Sequence, residues 1–109
     1  MSRALGNIAE DKASAYLRHH KFQIIERNFY TKMGEIDIIA IKDTVLHFVE
    51  VKSATTYDKA IQNITPKKMQ RILSSVAVYL QKHHLELAYS VDAIIVVEDQ
   101  ITLIENITL

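Results

Sequence analysis

Glu35-Ile36-Asp37-Ile38-Ile39-Ala40-Ile41 and Leu46-His47-Phe48-Val49-Glu50-Val51-Lys52 are two strand-like runs separated by a short polar break. Each carries a carboxylate where an apolar residue would pack. Burying an ionised carboxylate costs several kcal/mol unless a counter-charge or a metal compensates it. Asp37 and Glu50 in neighbouring strands therefore call for a cation, and a divalent metal is the economical one. Side chains alternate along a strand, so Glu35, Asp37, Ile39 and Ile41 share one face, and Leu46, Phe48, Glu50 and Lys52 share one face of the next. A turn centred on Asp43-Thr44 pairs Lys42 with Val45 and sets Asp37 opposite Glu50, although this turn lacks the glycine of a typical tight hairpin. Cross-strand partners lie about 4.5–5.5 Å apart at Cβ, near enough for two carboxylates to grip one ion. The competing reading makes both acids structural, paired with Lys52 and backbone donors at a sheet end. Glu35 reads as a solvated carboxylate on the rim.

Asp37, twelve residues, then Glu50-Val51-Lys52 between hydrophobic flanks resembles the PD-(D/E)XK signature of the restriction-endonuclease-like nucleases. More closely, Gly34 to Ala40 followed by Phe48 to Lys52 is similar to the YraN-like bacterial family, regarded as related to archaeal Holliday-junction resolvases. Gly6 and Glu10 match that family's first-helix motif, Asn28 its first strand, Pro66, Lys68 and Arg71 its second helix, and Asp92 the start of its later strand. The chain departs from the pattern at Ala9, at His19-His20-Lys21-Phe22 where a glycine is usual, and at Ser53, where the family commonly has Arg. The resemblance implies an α/β restriction-endonuclease-like domain spanning residues 1–109, with an αβββαβ core. It also implies hydrolysis of DNA, branched or Holliday-junction-like DNA included, by a homodimer.

In that frame Asp37, Glu50, the Val51 carbonyl and Glu10 hold Mg²⁺ or Mn²⁺, because hard oxygen ligands favour hard cations. Lys52, on the same face as Glu50, orients the attacking water or stabilises the transition state. Glu10 lies at the edge of the first helix's apolar stripe and can reach inward; it can equally be a capping-box glutamate serving Asn7. Asp92 reads as a reserve ligand or an orienting group.

The chain has 109 residues, 49% of them hydrophobic, with no cysteine and zero formal net charge. That fits one domain with a single core, and the balanced charge argues against a general nucleic-acid binder, so any such contact is local. No apolar run approaches a membrane span and no signal-peptide pattern begins the chain, so a cytoplasmic protein with no membrane partner is expected.

Periodicity predicts a helix from Leu5 to His19 with Leu5, Ile8, Ala9, Ala13, Tyr16 and Leu17 as its apolar stripe. Strands are expected over Phe22 to Tyr30, Glu35 to Ile41 and Val45 to Ser53, then a mobile loop or short helical turn from Ala54 to Ile64. Thr65-Pro66 opens a second long helix, Thr as cap and Pro at its first position, with Met69, Ile72, Leu73, Val76, Ala77 and Leu80 facing inward. Strands over Val91 to Val97 and Ile101 to Glu105 complete a mixed sheet flanked by helices.

Lys67, Lys68 and Arg71 occupy the start of that helix, where cations oppose the macrodipole at roughly 0.3–1 kcal/mol each. That placement suggests phosphate binding, against the alternative of solvated surface charge. His19-His20 and His83-His84 fall at helix ends and complement the dipole, which outweighs zinc binding. Two further functions stay open: a nucleic-acid-binding module without turnover, on single-stranded or branched DNA, and a non-catalytic interaction protein.

Overall fold

The computed structural model describes residues 2–108, with the side chains of residues 2–7 outside the described set; the expectations for Leu5, Gly6 and the Asn7 side chain fall there. The elements are α1 (Ser2–His19), β1 (Gln23–Tyr30), β2 (Glu35–Lys42), β3 (Val45–Ser53), α2 (Tyr57–Gln62), α3 (Pro66–Lys82), β4 (Tyr89–Val97) and β5 (Gln100–Ile104). They build one sheet in the order β1-β2-β3-β4-β5, antiparallel except for the parallel β3–β4 pair. This is a mixed sheet flanked by helices, compatible with a restriction-endonuclease-like core.

Alternation along the strands sorts the core into two layers. Ile38, Ala40, Val49, Ile94 and Val96 pack with Ala9, Ala13 and Leu17 of α1. Ile39, Leu46, Phe48 and Val91 turn the other way and pack with Ile72, Val76 and Tyr79 of α3. So α1 and α3 cover opposite faces. No helix of the described residues is long and apolar enough to cross a membrane.

Most of each expected stripe packs on the sheet, and the exceptions are Ile8 on α1 and Leu73 and Ala77 on α3. On α1 the buried line is Ala9, Ala13 and Leu17, four residues apart, while Ile8 is 53% exposed. The helix runs unbroken from Ser2, so Asn7 does not open it. On α3, Leu73 and Ala77 are exposed and Ser75 and Tyr79 are buried instead. Small residues carry little hydrophobic signal, yet they let a helix approach a sheet closely. The stretch from Ala54 to Ile64 takes the second of its two expected forms, a short helix. Thr56 caps α2 by accepting from the Lys59 N–H, and fully buried Ala60 seats it on Ala93 and Ile95.

The β2–β3 ladder runs Lys42↔Val45, Ile41↔Leu46, Ala40↔His47, Ile39↔Phe48 and Ile38↔Val49, so the next pair in register is Asp37 and Glu50. Asp43 and Thr44 make that two-residue turn at φ 51 and 65, a geometry normally given to Asn-Gly. Lys21, where α1 hands over to β1, is likewise left-handed at φ 70. Such a residue with a Cβ is strained by roughly 1–2 kcal/mol. Lys21→Gly is therefore expected to raise unfolding stability by about 1 kcal/mol in a denaturant titration. An unshifted midpoint would contradict the strain.

Candidate metal centre

The turn from Thr31 to Gly34 places the first acid. The Thr31 hydroxyl accepts from the N–H groups of Met33 and Gly34, at 3.0 and 3.1 Å, and lies 2.8 Å from the buried Ser75 hydroxyl on α3. Gly34 has φ +157, and a Cβ there would come within 3.5 Å of the Arg71 Cβ. The turn is thus pinned beneath α3, and Glu35 emerges half-buried rather than solvated.

Asp37 is the centre of the cluster. Its Oδ2 accepts from the Val51 N–H at 2.8 Å, and its carboxyl hydrogen-bonds those of Glu50 and Glu35. Burial, then the hydrogen bond with Glu50 and that group's charge, push Asp37 up to about 8. Burial and the neighbouring Asp37 push Glu35 up to about 7. Glu10 joins from α1. Burial and the charge of Asp37 raise it too, against Arg27 and a hydrogen bond from Asn28. Asn28 stands in β1 at φ 57, a conformation Asn tolerates better than most residues. Arg27 Nη2 is 3.5 Å from Glu10 Oε1, while its Nη1 holds Asp11 at 2.9 Å.

Three observations fit a hard divalent cation. One carboxylate oxygen each from Glu10, Glu35 and Asp37 lies within 4.8 Å of the others. Buried Glu10 Oε1, beyond its 3.5 Å ion pair with Arg27, makes no hydrogen bond among the described residues. The donors are all oxygen, the set that suits Mg²⁺ or Mn²⁺. Glu50 adjoins the three through Asp37, and Lys52 Nζ lies 4.0 Å from Glu50 Oε1.

These groups line a cleft of about 320 Å³ at one end of the sheet, with Glu10 on the α1 side and Lys68 and Arg71 on the α3 side. Lys67 lies outside it, in an adjoining groove that Arg71 also lines. The α3 start offers less backbone than its sequence suggests. Pro66 has no N–H, Thr65 Oγ1 takes that of Lys68, and the Thr65 carbonyl takes that of Met69. Side chains therefore carry any phosphate contact there.

Asp92 is elsewhere. Fully buried at the start of β4, it accepts from Ser90 Oγ and the Asn106 N–H and holds His47 Nδ1 at 2.6 Å, away from the acidic cleft. It organises the opposite end of the sheet and is no reserve ligand.

Sequence reasoning left out Arg27, took Glu35 for a solvated rim carboxylate and gave Asn28 no role beyond a family match. The alternation that puts Asp37 on the cleft face puts Glu35 there as well; what hid its role is the docking of its turn under α3.

The raised acids set a pH dependence. Asp37 and Glu35 ordinarily titrate at 3.8 and 4.5, and in the folded chain at about 8 and about 7. Between those limits the folded chain binds more protons than the unfolded one. Metal-free stability is therefore fully present below 3.8 and falls as pH rises towards about 8. A bound cation displaces those protons, so apparent Mn²⁺ affinity is expected to climb over the same window, with proton release seen by calorimetry in buffers of different ionisation enthalpy. Stability in chelator that stays flat from pH 4 to 8 would refute the coupling.

The family model described as "Uncharacterised protein family UPF0102" matches residues 9–96, a span that holds every acid of the cleft together with Lys52, Lys68 and Arg71. The chain belongs to that family. It is the YraN-like family that the blocks around Asp37 and Glu50 resemble. UPF0102 proteins of Aliarcobacter butzleri and Sulfurimonas denitrificans are 53% and 52% identical to the chain, each aligned over the full length of both partners. A UPF0102 protein of Helicobacter hepaticus is 48% identical over 99% of this chain and 97% of its own.

Proposed function

We propose that the chain is a Mg²⁺- or Mn²⁺-dependent endonuclease that hydrolyses DNA phosphodiester bonds, branched DNA among its substrates, and that it works as a homodimer on paired scissile sites. The observation that carries this reading is the convergence of Glu10, Glu35, Asp37 and Glu50 beside Lys52, in a cleft whose other wall carries Lys68 and Arg71. Glu10, Asp37 and Glu50 hold the ion, Glu35 adds a fourth carboxylate, and the Val51 N–H fixes the orientation of Asp37. When bound, the ion lowers the pKa of water and neutralises charge on the phosphate. Lys52 stabilises the charge that develops on the phosphate oxygens. Lys68 and Arg71 hold the strand from the α3 side, where they oppose the helix dipole and make no ion pair among the described residues. Cytoplasmic DNA is the substrate in this reading.

A second reading, a binding module that keeps the site without turnover, draws on the zero net charge and on Ser53 at a position where a cation would extend the rim. Labelled single-stranded, duplex, flap and junction DNA, incubated with Mg²⁺ or Mn²⁺, separates the two. Metal-dependent, chelator-sensitive cleavage supports the nuclease; tight binding with no product supports the module. Changing Lys67, Lys68 and Arg71 together to Ala is expected to weaken DNA binding and flatten its salt dependence by about 0.7–0.9 in log–log slope per lost contact. An unchanged slope would place the strand elsewhere.

A further inference from the structure

The acidic cleft does not end at Arg71. That side chain also lines a groove of about 230 Å³ walled by Met33 from the β1–β2 turn and by Lys67, Gln70 and Ser74 from α3. No carboxylate lines it. Met33 is 58% exposed, and Tyr30, the strand partner of Glu35, is 66% exposed, the most of the large hydrophobic side chains among the described residues. The turn that presents them is held rigid by Thr31, Ser75 and the close approach of Gly34 to α3. The Met33 thioether thus lies in the groove beside Lys67 and Arg71, which make no ion pair among the described residues, and the exposed Tyr30 ring stands on the sheet edge next to Glu35 of the carboxylate cleft.

We propose that this turn and the first two turns of α3 form a seat for unpaired nucleotides leading into the cleft: Lys67 and Arg71 hold successive phosphates, and Tyr30 and Met33 pack against the exposed faces of bases. The inference rests on the nuclease reading and narrows its substrate to DNA that presents single-stranded nucleotides beside the scissile bond. Charge complementarity selects a polyanion. The apolar pair selects unpaired bases, because a duplex hides base faces within its stack, whereas a single strand offers them for stacking at about 1–3 kcal/mol per base.

The test is fluorescence anisotropy in Ca²⁺, with a labelled single-stranded oligonucleotide and the matching duplex. Y30A/M33A is expected to weaken single-strand binding about tenfold or more while leaving duplex binding and calorimetric Mn²⁺ affinity unchanged. Tyr30→Phe, which keeps the ring, should bind as the parent does. Equal single-strand affinity for Y30A/M33A and the parent overturns the inference, as does a parent that binds no single strand, or an equal loss on the duplex. Binding in Ca²⁺ requires no turnover, so the two readings fail separately. Cleavage that ignores Tyr30 and Met33 sinks this one alone; single-strand binding that depends on them, with no cleavage in Mg²⁺ or Mn²⁺, sinks the nuclease alone.

Discussion

Asp37→Asn and Glu50→Gln are each expected to lose divalent-ion binding and DNA cleavage together while the protein stays folded. Changing a group that merely orients a ligand costs about 10–100-fold in metal affinity, so removal of a ligand charge from the centre of the cluster should exceed that. The fold survives because of how Asp37 is held. Without a cation its carboxyl is pushed up to about 8, so near neutral pH it already stands largely protonated among Glu35 and Glu50. The amide of Asn imitates that protonated group and can still accept the Val51 N–H. Asp37→Asn should therefore unfold at the same temperature as the metal-free parent or a higher one, and should lose part of the parent's decline in stability with rising pH. Lys52→Ala separates roles. It should keep Mn²⁺ and lose about 10²–10³-fold in turnover, as when a charge-stabilising donor is removed. Calorimetry showing unchanged Mn²⁺ affinity in both acid variants would refute the site, and loss of metal by Lys52→Ala would refute the division of labour.

The second large effect is on stability and lies at the other end of the sheet. Asp92→Ala should cost on the order of 3–5 kcal/mol, a sizeable part of the roughly 5–15 kcal/mol that holds a typical domain together. The reason is what the change leaves behind. His47, Ser90 and the Asn106 N–H all lose their shared acceptor, a carboxylate that is itself fully buried. Asn106 follows β5, so the same carboxylate ties the end of the chain to β3 and β4. Asp92→Asn retains an oxygen for Ser90 and Asn106 and should lose less. Urea titration measures both, and an Asp92→Ala midpoint equal to the parent's would show the cluster to be dispensable.

The register of β2 on β3, which brings Asp37 beside Glu50, was legible in the sequence because strand periodicity is binary. One residue of slip would send Ile38, Ala40 and Val49 into the wrong layer, so the apolar pattern admits one register. The helical faces were less legible. Ala9 and Ala13 face inward as the stripe predicts, but a pattern that weighs hydrophobicity adds Ile8 and Leu73, which stay exposed, and passes over buried Ser75. The same limit left α2 undecided between loop and helical turn, since its buried residue is Ala60. Glu35 was misread because desolvation of a carboxylate depends on which element covers it, and α3, more than thirty residues away in sequence, does so through Thr31 and Ser75. Asn28 was legible only as a family match; its left-handed backbone is a three-dimensional fact.

The opposed placement of α1 and α3 has a consequence for how such a protein can diversify. Glu10 arrives from the layer beneath the sheet, and Lys67, Lys68 and Arg71 from the layer above, so the acids and the cations answer to different packing constraints. Grip can drift while chemistry stands still. The exposed first turns of α3 tolerate exchange at little cost to the core, whereas Glu10 is bound to the seating of Ala9, Ala13 and Leu17. An engineer who wished to retarget the cleft would graft the opening of α3 from one relative onto another and leave α1 alone, and divergence among lineages should be sought first in that same short segment.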